Sequence, residues 1–251
     1  ATASDITVSP TTRLGNYTQI VGKTVMVSGT LEAVDKAGRK SEKAYQLAKV
    51  SSEIKRDMET IITANQGQSA GNASTARTLG ALLSYIKSNT SKNGTATTGV
   101  DPVTVGVSTR TDGTTRTFTE AMLKTVIASV FTNGGTPSAL FVSPTQKQVV
   151  SGFTGLAAQR YQVPTSGQAT ILAGADLYQS DFGVLSIVPD RFMRTRDALI
   201  LDPEYAALAF LRPFQTNELA RVGDAEKTQI LAEFTLEVRN EAAHGGVFDL
   251  S

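Results

Sequence analysis

Asn16-Tyr17-Thr18-Gln19-Ile20-Val21-Gly22-Lys23-Thr24-Val25-Met26-Val27-Ser28 leads through Ala37-Gly38-Arg39 into Ser41-Glu42-Lys43-Ala44-Tyr45-Gln46 and onward to Asn65. The first run is a polar, β-branched strand; the second is a long, heavily charged helix. Alternation in residues 17–28 is poor, with Ile20 beside Val21 and then Gly22 and Lys23, so the strand reads as a ribbon wet on both faces. Its unpaired backbone groups would invite another strand, so pairing is expected in its working state. Residues 41–64 set Ala44, Leu47, Ala48, Ser51, Ile54, Met58, Ile61 and Ile62 at three-four spacing, one narrow stripe on a helix of about 36 Å. Lys49 with Glu53, and Lys55 with Glu59, are spaced as exposed ion pairs. Elements this long and polar need neighbours along their sides, which points to an assembly subunit rather than a catalytic pocket.

The 251 residues suffice for one large domain or two modest ones. Apolar residues make up 40%, charged residues only 19%, and 21 glycines with many Thr and Ser mark a loop-rich globular chain. With 24 Lys and Arg against 23 Asp and Glu, the net charge of +1 gives no global field for nucleic acid or an anionic membrane. The absence of Cys excludes disulfides, thiolate metal sites and Cys nucleophiles. No apolar run approaches a bilayer span, and the first twenty residues are not signal-like, so the chain reads as soluble. It begins at Ala1 rather than Met, which leaves upstream processing or a shortened chain as alternatives.

Farther along, residues 1–12 read as an arm or loop. A second helix is expected over 76–87 on the Leu79, Leu82, Leu83, Ile86 face. Residues 88–117 form a polar excursion with turns at Asp101-Pro102 and Asp112-Gly113. Residues 118–133 carry the cleanest stripe, Met122, Leu123, Val126, Ile127, Val130 and Phe131, capped by Thr119 and ended at Asn133-Gly134-Gly135. A buried strand at 139–142 runs into Ser143-Pro144, the start of another helix. Strands are then expected near 168–178, 183–188, 198–201, 206–212 and 228–240, an α+β order.

Candidate chemistry is sparse. His244, the single histidine, lies in a turn without a second ligand or a Gly-x-Ser-x-Gly elbow, so it reads as structural or solvent-exposed. Ser52 with Lys55 and Ser84 with Lys87 have a Ser-x-x-Lys spacing, but the companion motifs of penicillin-binding enzymes are absent and solvated helix faces explain both. A serine hydrolase using one of these pairs is the alternative from another function class. No phosphate-binding loop is present. Glu53, Lys55, Arg56, Asp57 and Glu59 mix signs, as on a salt-bridged helix or one whose charges set register between subunits. Asn16, Asn72, Asn89 and Asn93 match the glycosylation triplet only through Ser/Thr-rich composition. Arg191, Arg194 and Arg196 form a basic cluster for nucleic acid, or a solvated loop flanked by Asp190 and Asp197; the second reading is preferred. No cofactor or metal is expected.

Three blocks resemble one family, the major capsid proteins of tailed bacteriophages with the Hong Kong ninety-seven-type fold. They are Arg13-Leu14-Gly15-Asn16-Tyr17-Thr18-Gln19-Ile20 with Val27-Ser28-Gly29-Thr30, Ala37-Gly38-Arg39, Glu42, Ala44-Tyr45-Gln46, Glu53 and Lys55-Arg56-Asp57-Met58-Glu59; Ser180-Asp181-Phe182-Gly183 with Val188 and Arg191; and Thr235-Leu236-Glu237-Val238-Arg239-Asn240-Glu241-Ala242-Ala243-His244-Gly245-Gly246. The resemblance implies an α+β capsid fold. Residues 13–30 would be the returning strand of an extended loop, and 31–75 a peripheral domain with its spine helix. Residues 76–190 would form an axial domain, and 191–251 would return to the peripheral sheet. Relatives carry an upstream region with the outgoing strand of that loop, so the partner of residues 17–28 is expected to lie outside this chain. The Lys, Asn and Glu of an inter-subunit isopeptide cross-link are not matched here.

By this resemblance the chain would be a non-enzymatic shell subunit. Its partners would be itself, in hexamers and pentamers of an icosahedral shell, a portal, decoration or scaffolding proteins, and packaged double-stranded DNA, with no membrane. It would assemble in the bacterial host cytoplasm and reside in the virion. Arg13, Tyr17, Gln19, Lys23, Arg39, Glu42, Glu53, Arg56, Asp57 and Glu59 are the candidate inter-subunit contacts. An encapsulin-type compartment is the alternative with the same fold.

Overall fold

In a computed structural model, which describes residues 14–99, 109–153, 174–221 and 223–251, the opening stretch becomes β1 (Gln19–Ser28), a short α1 (Gly29–Ala33) and α2 (Glu42–Thr63). Ser41 caps α2 by accepting from Ala44 N at 3.1 Å. Glu32 reaches back from α1 to accept from Glu42 N at 3.0 Å and Lys43 N at 3.3 Å, so a carboxylate sits at the positive end of the helix. Its interaction with Ser41 and these backbone donors holds the Glu32 carboxyl below its usual range. Ile54 and Met58 are buried on the expected stripe, with Leu47, Val50, Ile61 and Ile62 packed beside them. Full burial of such a side chain contributes about 1.5–3 kcal/mol.

The remaining elements are α3 (Leu82–Tyr85), β2 (Thr90–Ser91), α4 (Glu120–Thr132), β3 (Ala139–Val142), α5 (Pro144–Ser151), β4 (Leu177–Ser180), β5 (Gly183–Pro189), β6 (Asp197–Leu201), β7 (Ala206–Leu219), β8 (Ala225–Val238) and β9 (Gly245–Phe248). They build a three-stranded sheet ordered β1-β8-β7 and a six-stranded sheet ordered β2-β9-β6-β3-β5-β4. Helix α2 packs on β1 and β8. One core joins α2 to Ile230, Phe234 and Leu236 of β8, Leu199 and Leu201 of β6, and Phe248 of β9. A second core lies under α4, where Leu123, Val126, Ile127 and Val130 meet Leu140, Val142, Ile187, Ala198, Ile200 and Val247.

Several expectations need correction. The partner of β1 is in this chain: all ten of its residues pair antiparallel with β8, from Gln19↔Phe234 to Ser28↔Ala225. Two-faced alternation identifies β8 as a strand but not its neighbour. The helix expected over 76–87 is one turn. Leu79 N and Gly80 N are taken by the side chains of Gln19 and Asn16, and Thr78 pairs with Ser69, so residues 78–80 are held extended. Its apolar spacing reflects burial on all sides: Leu79, Ala81, Leu82, Leu83, Tyr85 and Ile86 are each at most 6% exposed. Of the strands in residues 191–251, β7 and β8 lie in the three-stranded sheet and β6 and β9 in the six-stranded one. Asp-Ala-Leu-Ile-Leu of β6 is buried at every position, as a central strand covered on both faces must be.

Thr119 precedes α4, yet its hydroxyl caps nothing; its carbonyl takes Met122 N and Leu123 N instead. Ser143 does cap α5, with Pro144 in the first turn. β7 continues to Leu219 through register shifts around Pro213, well past the expected end at residue 212. The arm at 1–12, Arg13, the turn at Asp101-Pro102 and the start of the strand expected near 168–178 lie outside the described residues.

Candidate assembly surfaces and a buried charge cluster

The candidate contact residues are for the most part engaged within the chain. Lys23 on β1 reaches α2, 2.8 Å from Asp57 and 3.3 Å from Glu53. These contacts, Asp57 foremost, raise the Lys23 pKa. Among the described residues no ion pair joins Lys49 to Glu53 or Lys55 to Glu59: Glu53 reaches across to the sheet rather than along its helix. Gln19 Oε1 accepts from Gln66 Nε2 at 2.8 Å and from Leu79 N at 3.2 Å. Glu42 is buried, 2.6 Å from Arg39 Nε, and Arg39 also lies 4.6 Å over the Tyr45 ring. Tyr17 is half-buried and its carbonyl accepts from Thr235 Oγ1. Arg56 is exposed on α2. Glu59 is exposed too, and partial burial with neighbouring Asp190 raises its carboxyl pKa. The structure therefore leaves Arg56 as the outward member of the set, while Glu59 stands beside Asp190 at the rim of a groove.

Sequence spacing gave no sign of Glu233, a 3%-exposed carboxylate on β8 that meets Arg212 Nε at 2.8 Å, Arg77 and the Thr18 hydroxyl. The Thr18 hydrogen bond and the two guanidinium groups hold it below the usual carboxylate range. This carboxylate ties together the chain before β1, the loop after α2, and β7.

An apolar groove of about 540 Å³ runs between α2 and β7, lined in part by Met58, Ile62, Leu199, Leu208, Phe210 and Phe214. It exists because α2 covers β1 and β8 and leaves the same face of β7 bare. Leu208, Phe210, Leu211 and Phe214 all stand exposed within seven residues. A second groove, about 640 Å³, lies between α4 and the β4–β5 hairpin, where Tyr178 Oη meets Glu120 at 3.1 Å.

The six-stranded sheet has the opposite character. Arg194 and Arg196 turn inward and do not form a phosphate-binding face. Arg110, with no exposed side-chain surface, lies 2.9 Å from Asp249 Oδ1, 3.6 Å from Asp197 and beside Asp112, with its guanidinium 4.4 Å over the Phe248 ring. Arg194 pairs with Asp112 and sits 3.0 Å from Asp197; Arg196 lies 3.6 Å from Asp249 and 3.8 Å from Asp112. Three cations thus face three anions. Burial pushes the Asp197 carboxyl up to about 6, outweighing Arg194 and Arg110. Burial also opposes ionised Asp249, but hydrogen bonds from Arg110, Asn93 N and Gly113 N hold it below its usual range. Asp249 has φ 62°, a left-handed conformation fixed by those donors. The cluster fastens the 109–116 loop, part of the expected polar surface excursion, to the end of β9.

His244 is buried, 1% exposed, and its Nδ1 accepts from Asp202 N at 3.3 Å; burial lowers its pKa, as suits a neutral structural imidazole. Ser84 is fully buried with its hydroxyl donated to Ala81 O at 2.7 Å, and the Ser52 hydroxyl faces Ala48 O at 3.5 Å. Neither serine bonds its lysine. Among the described residues no group of three or more acidic or histidine side chains is placed to hold a metal, and no helix is long and apolar enough to cross a membrane.

Comparison with known proteins accounts for this arrangement. The family model described as SU10 major capsid protein matches residues 1–251. The major capsid protein of Escherichia phage Phieco32 is 27% identical over 276 residues, covering 98% of this chain and 78% of that protein. Among solved structures, a chain of the cyanophage A-1(L) capsid asymmetric unit superimposes with TM-score 0.64 at 12% identity, over 92% of this chain and 77% of that one. The holo-SrpI encapsulin complex of Synechococcus elongatus PCC 7942 gives 0.58 at 11%, over 93% and 74%. The structural likenesses show a common α+β fold of the Hong Kong ninety-seven type, and the full-length family match separates phage capsid from encapsulin. The chain belongs to the SU10 major capsid protein family.

Proposed function

We propose that this major capsid protein closes an icosahedral shell from rings of six and five copies, with double-stranded phage DNA inside and a portal at one site. The observation that carries the reading is the three-stranded sheet, which leaves an apolar strip and two strand edges uncovered beside a second, closed core. A subunit with buried cores and with apolar surface left bare on both sheets suits repetition around closed rings. In this reading α2 and the three-stranded sheet form the peripheral domain, and the six-stranded sheet with α4 and α5 the axial domain. Arg56 lies on the outward side of the spine helix, available to set register between subunits.

The near-neutral chain, at +1, holds DNA by confinement rather than by a basic wall. Assembly takes place in the host cytoplasm, with decoration or scaffolding proteins as further partners. The subunit's part is geometric and no reaction is assigned to it; a reactive serine probe should leave it unlabelled, and labelling abolished by Ser84→Ala or Ser52→Ala would reverse that. Purified particles should contain nuclease-protected double-stranded DNA. Particles filled instead with one enzyme would favour the encapsulin-type alternative.

A further inference from the structure

In Asn93-Gly94, Asp112-Gly113 and Asn133-Gly134 an Asn or Asp precedes a glycine. Glycine has no side chain to shield its own amide nitrogen, so that nitrogen can attack the side-chain carbonyl carbon before it. The attack needs an N–H that is free to lose its proton, and the fold decides where one is found. Gly113 N donates to Asp249 Oδ1 at 2.7 Å and Gly134 N to Phe131 O at 3.0 Å. Among the described residues Gly94 N has no hydrogen-bond partner.

The two Asn-Gly pairs are otherwise closely matched. Both glycines are exposed with positive φ, 49° at Gly94 and 86° at Gly134, and open space surrounds each. Each asparagine donates one side-chain bond, Asn93 Nδ2 to Thr114 O at 2.9 Å and Asn133 Nδ2 to Asn89 Oδ1 at 2.7 Å. Exposure alone would favour reaction at Asn133, which is exposed while Asn93 is half-buried. The glycine N–H reverses that order. Gly134 N is locked into the last turn of α4, where Asn133 N also donates to Ser129 O at 3.1 Å, whereas Gly94 lies in a turn outside every helix and strand.

We propose that Asn93 is a self-modification site, the place where the folded chain deamidates. Gly94 N loses its proton to solvent base and attacks Asn93 Cγ, forming an N–Cγ bond. The Cγ–Nδ2 bond breaks, and Nδ2 takes a proton from water and leaves as ammonia. Water then opens the cyclic imide. Addition at Cγ breaks the new bond and leaves aspartate; addition at the Asn93 backbone carbonyl carbon breaks the original peptide bond and leaves isoaspartate, with the chain running through Cγ. Nothing is oxidised or reduced: one water is consumed and one ammonia released.

Either product reaches the buried charge cluster. Asn93 N donates to Asp249 Oδ2 at 3.1 Å, and Asn93 O lies so close to Gly113 that a Cβ there would stand 2.7 Å from it. Aspartate replaces the donor to Thr114 O with a carboxylate, and isoaspartate sets a carboxylate against Gly113. Each adds an anion beside Asp249 and loosens the fastening of the 109–116 loop. Subunits of a closed particle are not replaced, so the change accumulates as the particle ages. That last consequence rests on the shell reading, and the chemistry does not.

The test keeps purified, unassembled protein folded in mildly alkaline buffer and follows each asparagine by peptide mass spectrometry. Asn93 should convert at least about tenfold faster than Asn133, the factor set by the one hydrogen bond that Gly134 N must first break. In urea the two should convert at similar rates. Hydrogen exchange across 109–116 should be faster in aged protein than in fresh protein, and Asn93→Gln, whose longer side chain closes the ring far more slowly, should keep it slow. Equal or faster conversion at Asn133 in the folded chain, or the same gap in urea, overturns the proposal. Unchanged exchange at 109–116 after Asn93 has converted overturns its link to the cluster. The wild-type comparison stands even if Asn93→Gln fails to fold, and none of these outcomes bears on shell formation.

Discussion

The two sheets solve the problem of burial in opposite ways. The six-stranded sheet is closed at its centre, where β6 is buried at all five positions, α4 covers one face and three arginines neutralise three aspartates behind it, while its β4–β5 edge leaves Leu177 and Val184 exposed. The three-stranded sheet is finished on one side only. Helix α2 and β8 share a core through Ile54, Met58 and Phe234, whereas β7 exposes Leu208, Phe210, Leu211 and Phe214. Substitutions at the buried centre of the first and on the bare face of β7 in the second should separate folding from assembly.

The largest effect belongs to the buried cluster. Arg110→Met strands Asp249 and Asp197 without their shared cation, and urea denaturation should register a loss of about 3–5 kcal/mol. A loss below about 1 kcal/mol would break the contrast between the sheets. Phe234→Ala, in the part of the smaller sheet that is finished, should cost about 3–4 kcal/mol by the same measurement.

A smaller effect follows from pH. Asp197 titrates near 6 in the folded chain and near its ordinary value of 3.8 when unfolded. The folded state therefore binds more protons between those values, and this contribution to stability falls as pH rises toward 6 and is then constant. The wild type should gain about 1 kcal/mol from Asp197 between pH 7 and pH 5. Asp197→Asn lacks that gain, so the difference between their pH profiles isolates it from the acids that are shifted downward, Asp249, Glu233 and Glu32. Coincident profiles would mean that the cluster is more open to water than its geometry implies.

The smallest effect is expected at Lys23→Met, on the exposed face of the β1–α2 contact. Surface ion pairs to Glu53 and Asp57 are screened, so the thermal midpoint should be nearly unchanged and insensitive to salt. A clear drop would move this contact into the group of stabilising interactions.

Local signals were legible in sequence: the stripe of α2, the Leu123–Val130 face of α4, Ser143-Pro144 and the alternation of β8 all appear where patterning places them. What patterning could not carry was partnership. β1 meets β8 across about two hundred residues, and nothing in either period names the other. Leu79 to Ile86 mimics a helical stripe because every side is buried, while side-chain acceptors from Asn16 and Gln19 hold its start extended. The charge cluster draws on Arg110, Asp112, Arg194, Arg196, Asp197 and Asp249, three separate segments. Only the alternation of Arg and Asp around residues 190–197 hinted that those arginines are neutralised. The contact set was legible as a charged helix, but two-sided contacts such as Lys23 with Asp57 turn inward once β1 lies beside α2.

The most direct test of the shell reading is electron microscopy of the purified protein across a concentration series. Closed particles of uniform size with five- and six-membered rings are the predicted result. A folded monomer that persists at every concentration, with the three-stranded sheet left open, would contradict it.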